Sequence, residues 1–197
     1  MQSSLPLRLR KAARRLGEQS VAVGELAALQ GRAAIGSLLI LLALPCMLPV
    51  AGVGTVLGMG LAGLSLGLWR QQEELRLPDR VSAFNMPARW ARRVLEIQAT
   101  MYDLAGRAAR PRLPAAFASA AQRATALTVA LMAGLIILPI PFGNVLPAIA
   151  ISLFGLGMVF RDGVLMLLGG VTSLLAVLFT ATLAWGAWAL GKSWLPF

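Results

Sequence analysis

Three stretches of this chain carry no charged residue at all: residues 33–69, 124–160 and 163–191. A helix crossing the hydrocarbon core of a bilayer needs about 20 apolar residues, so each stretch is long enough to reach across. Composition agrees, with 58% hydrophobic and only 13% charged residues, where a soluble domain carries about 25% charged. Such a chain cannot cover its surface with polar groups. The expectation is an all-α integral membrane protein, multi-pass, with no separate folded domain outside the membrane. A cleaved signal peptide is not expected, because some 30 polar and basic residues precede the first apolar stretch.

Charge between the windows sets the expected orientation. Residues 1–32 hold Arg8, Arg10, Lys11, Arg14 and Arg15, with Leu5, Leu9, Ala12 and Leu16 at helical spacing. This predicts a basic amphipathic helix on an anionic leaflet, with membrane lipid headgroups as partner. Residues 70–123 hold ten arginines against five acids. Both segments are cytoplasmic by the positive-inside rule, which puts the N-terminus inside. The same rule accounts for the net charge of +10 without nucleic acid, for which no basic and aromatic stacking pattern exists. Within the linker Met86, Trp90, Val94, Ile97, Met101 and Leu104 recur every three or four residues, which predicts an amphipathic helix. Arg110-Pro111-Arg112-Leu113-Pro114 ends it.

If both basic segments share a side, the first window, 33–69, must return to the side it entered. As one helix it would span about 55 Å, slightly short for two full crossings and a turn. Pro45 and Pro49, followed by Gly52 and Gly54, break it near the middle. The second window, 124–160, is broken likewise at Pro139, Pro141, Gly143, Asn144 and Pro147, and each window closes on an aromatic and an arginine, Trp69-Arg70 and Phe160-Arg161. The windows read as an internal repeat of two Pro/Gly-broken helical hairpins, parallel in orientation and either fully crossing or re-entrant. The last segment, 161–197, supplies one closing transmembrane helix with Trp185, Trp188 and Trp194 as an aromatic belt.

Matching breaks in two halves point to a binding site, since unwound backbone at membrane depth is tolerated where it lines a cavity or is buried in protein. The candidate binding residues are therefore Pro45, Pro49, Pro139, Pro141, Asn144 and Pro147, with Arg161 and Asp162 as the charged pair between two apolar windows. The structural alternative is that the prolines make hairpin turns, Asp162 caps the last helix and Arg161 reaches to phosphates. Catalytic chemistry has little to work with. Histidine is absent and Cys46 is the single cysteine, so imidazole bases, His-containing metal sites and CxxC motifs are excluded; no enzyme, cofactor or metal is expected. Gly58-Met59-Gly60-Leu61-Ala62-Gly63 fits a dinucleotide fingerprint but follows no strand. Gly54/Gly58 and Gly63/Gly67 read instead as GxxxG packing faces, which offer a route to a homo-oligomer.

Val23-Gly24-Glu25-Leu26, Leu42-Ala43-Leu44-Pro45 and Leu48-Pro49, and above all Leu138-Pro139-Ile140-Pro141-Phe142-Gly143-Asn144-Val145-Leu146-Pro147-Ala148 with Gly155-Leu156-Gly157, Arg161-Asp162-Gly163 and Gly169, resemble the ExoD family of bacterial exopolysaccharide synthesis membrane proteins. The resemblance covers residues 20 to about 180. The family's usual glutamine and Trp-Leu-Pro pattern after the first window is replaced here by Leu64-Ser65 and Trp69-Arg70-Gln71-Gln72. The resemblance implies a protein of the bacterial inner membrane connected with exopolysaccharide production, and supplies no molecular mechanism. The pair of broken windows, with Arg161 and Asp162 at the polar end of the cavity they would shape, points to a transporter or carrier of an anionic lipid-linked precursor, the alternative being a non-transporting adaptor of the synthesis machinery.

Overall fold

The computed structural model describes residues 4–15, 20–29, 35–47, 52–71, 79–138 and 143–194. Pro49, Pro139 and Pro141 lie outside them. Among the described residues the fold is helical: α1 (Ser4–Arg15), α2 (Val23–Leu29), α3 (Ile35–Cys46), α4 (Val53–Trp69), α5 (Asp79–Ser82), α6 (Ala88–Ala108), α7 (Ser119–Ile137), α8 (Val145–Phe160) and α9 (Gly163–Trp194). A single 3-10 turn, Pro114–Phe117, precedes α7. Val21–Ala22 and Asn85–Met86 pair as two short antiparallel strands, β1 and β2.

The four helices of the two central windows form a ring. α3 packs on α4 and α8, and α7 packs on α4 and α8. Gly36 at the start of α3 lies against Gly155 and Met158 near the end of α8, while Gly54 and Gly58 at the start of α4 lie against Ile136, Ile137 and Ala133 at the end of α7. Neighbours are thus antiparallel, as in an up-down bundle. At the other end of the α4–α7 seam the Gln71 amide donates to Gln122 Oε1 at 3.0 Å. Each hairpin therefore leaves from and returns to one end of the bundle. α9 runs outside the ring along α8 and α7.

α3 is apolar on every side, and every residue from Gly36 to Cys46 is buried, so it occupies the core of the bundle. The ring helices approach closely because they are small where they touch. A Cβ on Gly155 would stand 2.6 Å from the Gly36 carbonyl oxygen, and one on Gly36 would stand 2.5 Å from the Gly155 oxygen. The Gly54/Gly58 face is covered by α7 of the same chain, so it is not free for a second copy.

Two helices are long and apolar enough to cross a membrane, Ser119–Ile137 and Gly163–Gly186, whereas α3, α4 and α8 are shorter. Only 22% of the α9 window and 33% of the α7 window are buried, so neither is the core helix of a soluble fold. Leu167, Val171, Leu174, Leu175 and Leu178 make an exposed apolar face on α9, and Leu127 and Leu131 do so on α7.

The polar segments pack rather than float. α1 lies along α6, with Leu9 and Ala13 buried and Arg10 paired with Asp103. Leu9, on the face of α1 expected to lie in a leaflet, is thus covered by protein, and the exposed residues of the helix include Leu7, Arg10, Lys11 and Arg14. α6 exists where expected and ends before Arg110 and Pro111, but it is rotated. Val94, Leu95, Gln98, Ala99 and Tyr102 face inward, while Ile97 and Leu104 are exposed. The window boundary also shifts, because Ser119, Gln122 and Arg123 already belong to α7.

Candidate functional site

The breaks come together at the far end of the bundle. Gly52 adopts φ 82° ahead of α4, a left-handed conformation that glycine reaches without steric cost. Leu138 is extended after α7, with φ −69° and ψ 130°. Asn144 precedes α8, and its backbone oxygen accepts the Ala148 N–H at 3.1 Å. Its side chain crosses to the first turn of α4, where a Cβ on Gly54 would stand 2.8 Å from Asn144 Nδ2. The second helices of both hairpins thus begin beside one carboxamide. Asn144 Oδ1 is buried and has no hydrogen-bond partner, which costs about 1–3 kcal/mol if nothing else reaches it.

The prolines have plainer roles. Pro147 sits in the first turn of α8, where a missing N–H breaks no helical bond. Pro45 sits in the last turn of α3 and removes a donor there. The helix closes through the Cys46 thiol, which donates to the Leu42 oxygen at 3.2 Å, and the Met47 N–H, which donates to the Leu44 oxygen at 3.2 Å.

Arg161 and Asp162 lie at the opposite end of α8 from Asn144, about 24 Å away for a helix of that length. The expected single site is therefore two places. Asp162 Oδ1 accepts the Val164 N–H at 2.9 Å, capping α9, and Oδ2 accepts the Arg110 N–H at 3.0 Å. The Gly163 N–H donates to the Arg112 oxygen at 3.0 Å. One carboxylate thus clasps the linker to the α8–α9 junction. Burial pushes its pKa up, but the Arg110, Val164 and Leu165 amides and the Arg112 charge outweigh it and hold the carboxyl below the usual aspartate value. Arg161, in the left-handed region at φ 53°, places its guanidinium 5.9 Å from the Phe117 ring. Arg123 stands likewise 5.8 Å from the Trp69 ring.

A third polar group was not singled out from sequence. Tyr102 donates to Ser37 Oγ at 2.8 Å, and the Gln98 amide donates to the Ser37 backbone oxygen and to Tyr102 Oη, both at 3.1 Å. Gln98 is fully buried and Ser37 and Tyr102 nearly so. Burial pushes the Tyr102 phenol up, against the lowering effect of its two hydrogen bonds, so it remains a donor through the physiological range. The Tyr102 ring also meets Phe160 edge-on at 6.1 Å. These contacts bolt α6 onto the start of α3 and the end of α8. Two polar residues four apart, continuing the Val94 stripe, were the legible signal.

Among the described residues no group of three or more His, Cys, Asp or Glu is placed to hold a metal. Fold and sites together define an all-helical protein of two apolar hairpins and a long outer helix, with an arginine-rich end and, among the described residues, an orphan carboxamide at the opposite end of α8. The family model for exopolysaccharide synthesis, ExoD, matches residues 5–182, and the chain belongs to that family. It is similar to Protein ExoD of Rhizobium meliloti (strain 1021), 34% identical over 161 residues, a match covering 77% of this chain and 65% of that protein. The chain thus spans less than two thirds of that relative. No solved structure matches it.

Proposed function

We propose that this chain is a multi-pass protein of the bacterial inner membrane that carries an anionic, lipid-linked precursor in exopolysaccharide synthesis. α9 crosses the bilayer, the two hairpins, α7 among them, are re-entrant halves of a parallel repeat, and the arginine-bearing end is cytoplasmic. The packing scheme supports the repeat, because exchanging the two hairpins maps the α3–α8 contact onto α7–α4. The lengths support re-entry, because α3 has 12 residues and α8 has 16, about 18 and 24 Å against a hydrocarbon core of about 30 Å. Exposed apolar faces on α7 and α9 support insertion, since soluble monomers rarely expose patches that large.

The observation that carries the carrier reading is the buried, unpartnered Asn144 Oδ1 where the breaks meet. A carboxamide at that depth is costly unless something polar visits it. Arg123 and Arg161, exposed at the other end, would attract the phosphate of such a precursor. No catalytic step is assigned to any residue. Reconstitution into liposomes with labelled polyprenyl phosphate and phospholipids tests the carrier role. Transbilayer movement faster than in empty vesicles, and slowed by Asn144→Ala, is expected. Movement at the rate of empty vesicles would sink it.

The adaptor reading rests on a different surface. The α1–α6 pair exposes Leu7, Ile97 and Leu104 beside Lys11, Arg14 and Arg93, the mixture expected of a protein or headgroup contact. An adaptor should tolerate Asn144→Ala and fail with Arg89→Gln and Arg93→Gln, and a carrier should do the reverse.

A further inference from the structure

We propose that Arg123 and Arg161 are two seats for the phosphate of an anionic phospholipid of the surrounding leaflet, each guanidinium braced by an aromatic ring at the foot of a lipid-facing helix. This rests on the membrane reading above and not on the carrier reading. Arg123 lies on the exposed side of α7, one turn before Leu127 and two before Leu131, with Ala130 and Gly134 exposed beside them. Arg161 closely precedes α9, whose exposed side opens with Val164, Leu167 and Leu168. Each cation thus stands where an apolar outer surface begins.

Local contacts hold both at one end of the bundle. The Gln71–Gln122 hydrogen bond joins the end of α4 to the first turns of α7, and the Trp69 ring of α4 lies 5.8 Å from the Arg123 guanidinium. The Gly163 N–H bond to the Arg112 oxygen joins the start of α9 to the segment before the 3-10 turn. That turn packs on both α7 and α9, and its Phe117 ring lies 5.9 Å from the Arg161 guanidinium. Trp185 and Trp188, both exposed, lie toward the opposite end of α9. From Gly163 to Trp185 is about 33 Å of helix, close to a hydrocarbon core of about 30 Å. Tryptophans at one interface therefore put Arg161 among the headgroups of the other.

Charge complementarity names the occupant. Among the described residues neither arginine has an ion-pair partner. A ring face attracts the cation without using its N–H donors, and the planar guanidinium fork matches phosphate oxygens. The Arg161 backbone sits between the end of α8 and the Asp162 clasp, so part of the ordering that binding demands is already in place. Apolar surface lies beside each cation: exposed Trp69 for one, and for the other exposed Leu113, which lies against Gly163. Both arginines are exposed below outward-facing leucines, so the phosphate within reach belongs to the lipid of that leaflet. A net negative headgroup is favoured over a zwitterionic one, whose choline brings its own cation.

The test reconstitutes the full chain into vesicles of equal phosphatidylglycerol and phosphatidylcholine and counts the lipid it keeps on gentle extraction by native mass spectrometry. The wild-type chain should keep phosphatidylglycerol roughly fivefold or more over phosphatidylcholine. Arg123→Gln with Arg161→Gln should lose most of that preference. Arg80→Gln with Arg107→Gln, an equal loss of charge at exposed positions on α5 and α6, should keep it. A second measurement needs no variant: phosphatidylglycerol should slow phenylglyoxal modification of Arg123 and Arg161 several-fold relative to phosphatidylcholine, and of Arg80 and Arg107 much less. Equal retention of the two lipids, an equal loss of preference in both double variants, or no selective protection of Arg123 and Arg161 would overturn the proposal and leave the membrane reading standing. Stronger retention of polyprenyl phosphate than of phosphatidylglycerol from an equal mixture would also overturn it, by giving the seats to a precursor. A chain that stays in the aqueous phase would remove the membrane reading and this inference together.

Discussion

The glycines of this chain divide by what surrounds them. Gly155→Ala would drive a Cβ to 2.6 Å from the Gly36 oxygen and also to 2.6 Å from Ile40 Cγ1. A backbone oxygen cannot step aside, so the substitution should cost about 1–3 kcal/mol or more, read as a lower melting temperature in detergent. Gly134 and Gly170 have nothing within 4 Å, and alanine at either should be neutral or stabilise by up to about 1 kcal/mol. Asp162 makes a prediction in pH. Its folded pKa lies below the exposed value of about 3.9, so its stabilisation is complete above that value and fades as pH falls through the lower one. Asp162→Asn should cost about 1–2 kcal/mol at neutral pH. Melts recorded from pH 7 downward should show the two proteins converging as the wild-type carboxyl takes up its proton. Its capping role was legible in Arg161-Asp162-Gly163. Its grip on Arg110, 52 residues away, was not, because nothing local in sequence records that partner.

Among the helices, α6 shows how far periodicity carries and where it stops. Apolar spacing located the helix and the prolines located its end, yet the buried side is centred on Val94, Gln98 and Tyr102. A stripe every three or four residues marks an amphipathic helix, but a partner with its own polar group can turn it. Here the partner is Ser37, and two buried side chains serve it. Tyr102→Phe should therefore cost about 1–2 kcal/mol. The hydropathy of α1 likewise marked an amphipathic helix without recording that Leu9 packs on α6. Leu9 is 1% exposed on α6, so Leu9→Ala should cost about 2–4 kcal/mol or release α1 outright, visible as faster proteolysis before Val21. Arg10→Ala should stay within about 1 kcal/mol, because both partners of that ion pair are substantially exposed.

The assembly as a whole rests on α9, which packs by one side and presents an apolar face on the other. If that face meets lipid, Leu174→Arg, at a position 61% exposed, should penalise insertion by about 2.5–3.5 kcal/mol. Fractionation would find the variant depleted from membranes, and full retention would count against the span. Of the ring helices only α7 is long and apolar enough to cross a membrane, whereas α9, with 32 residues, has length to spare. The arrangement leaves the two polar ends of the bundle chemically unlike, cationic at one and carboxamide at the other, and a carrier working between them would use both.

Sequence alone determined the uncharged windows, the two proline breaks, the return of each hairpin to its starting end and the amphipathic helix between them. Each of these depends on charge or hydropathy over a few turns, or on the backbone chemistry of proline and glycine, and such properties are local. Only the tertiary structure decided that α3 lies at the core, that α1 is covered by α6, and that Gly54 and Gly58 face α7. It also parted the residues read as one binding group, placing Asn144 with Gly54 at the breaks and Arg161 with Asp162 at the far end of α8. The windows are so uniformly apolar that no face of α3, α4 or α8 is marked for a partner. Shape had to choose, and close fit between glycine backbones tens of residues apart in the chain is what chose it.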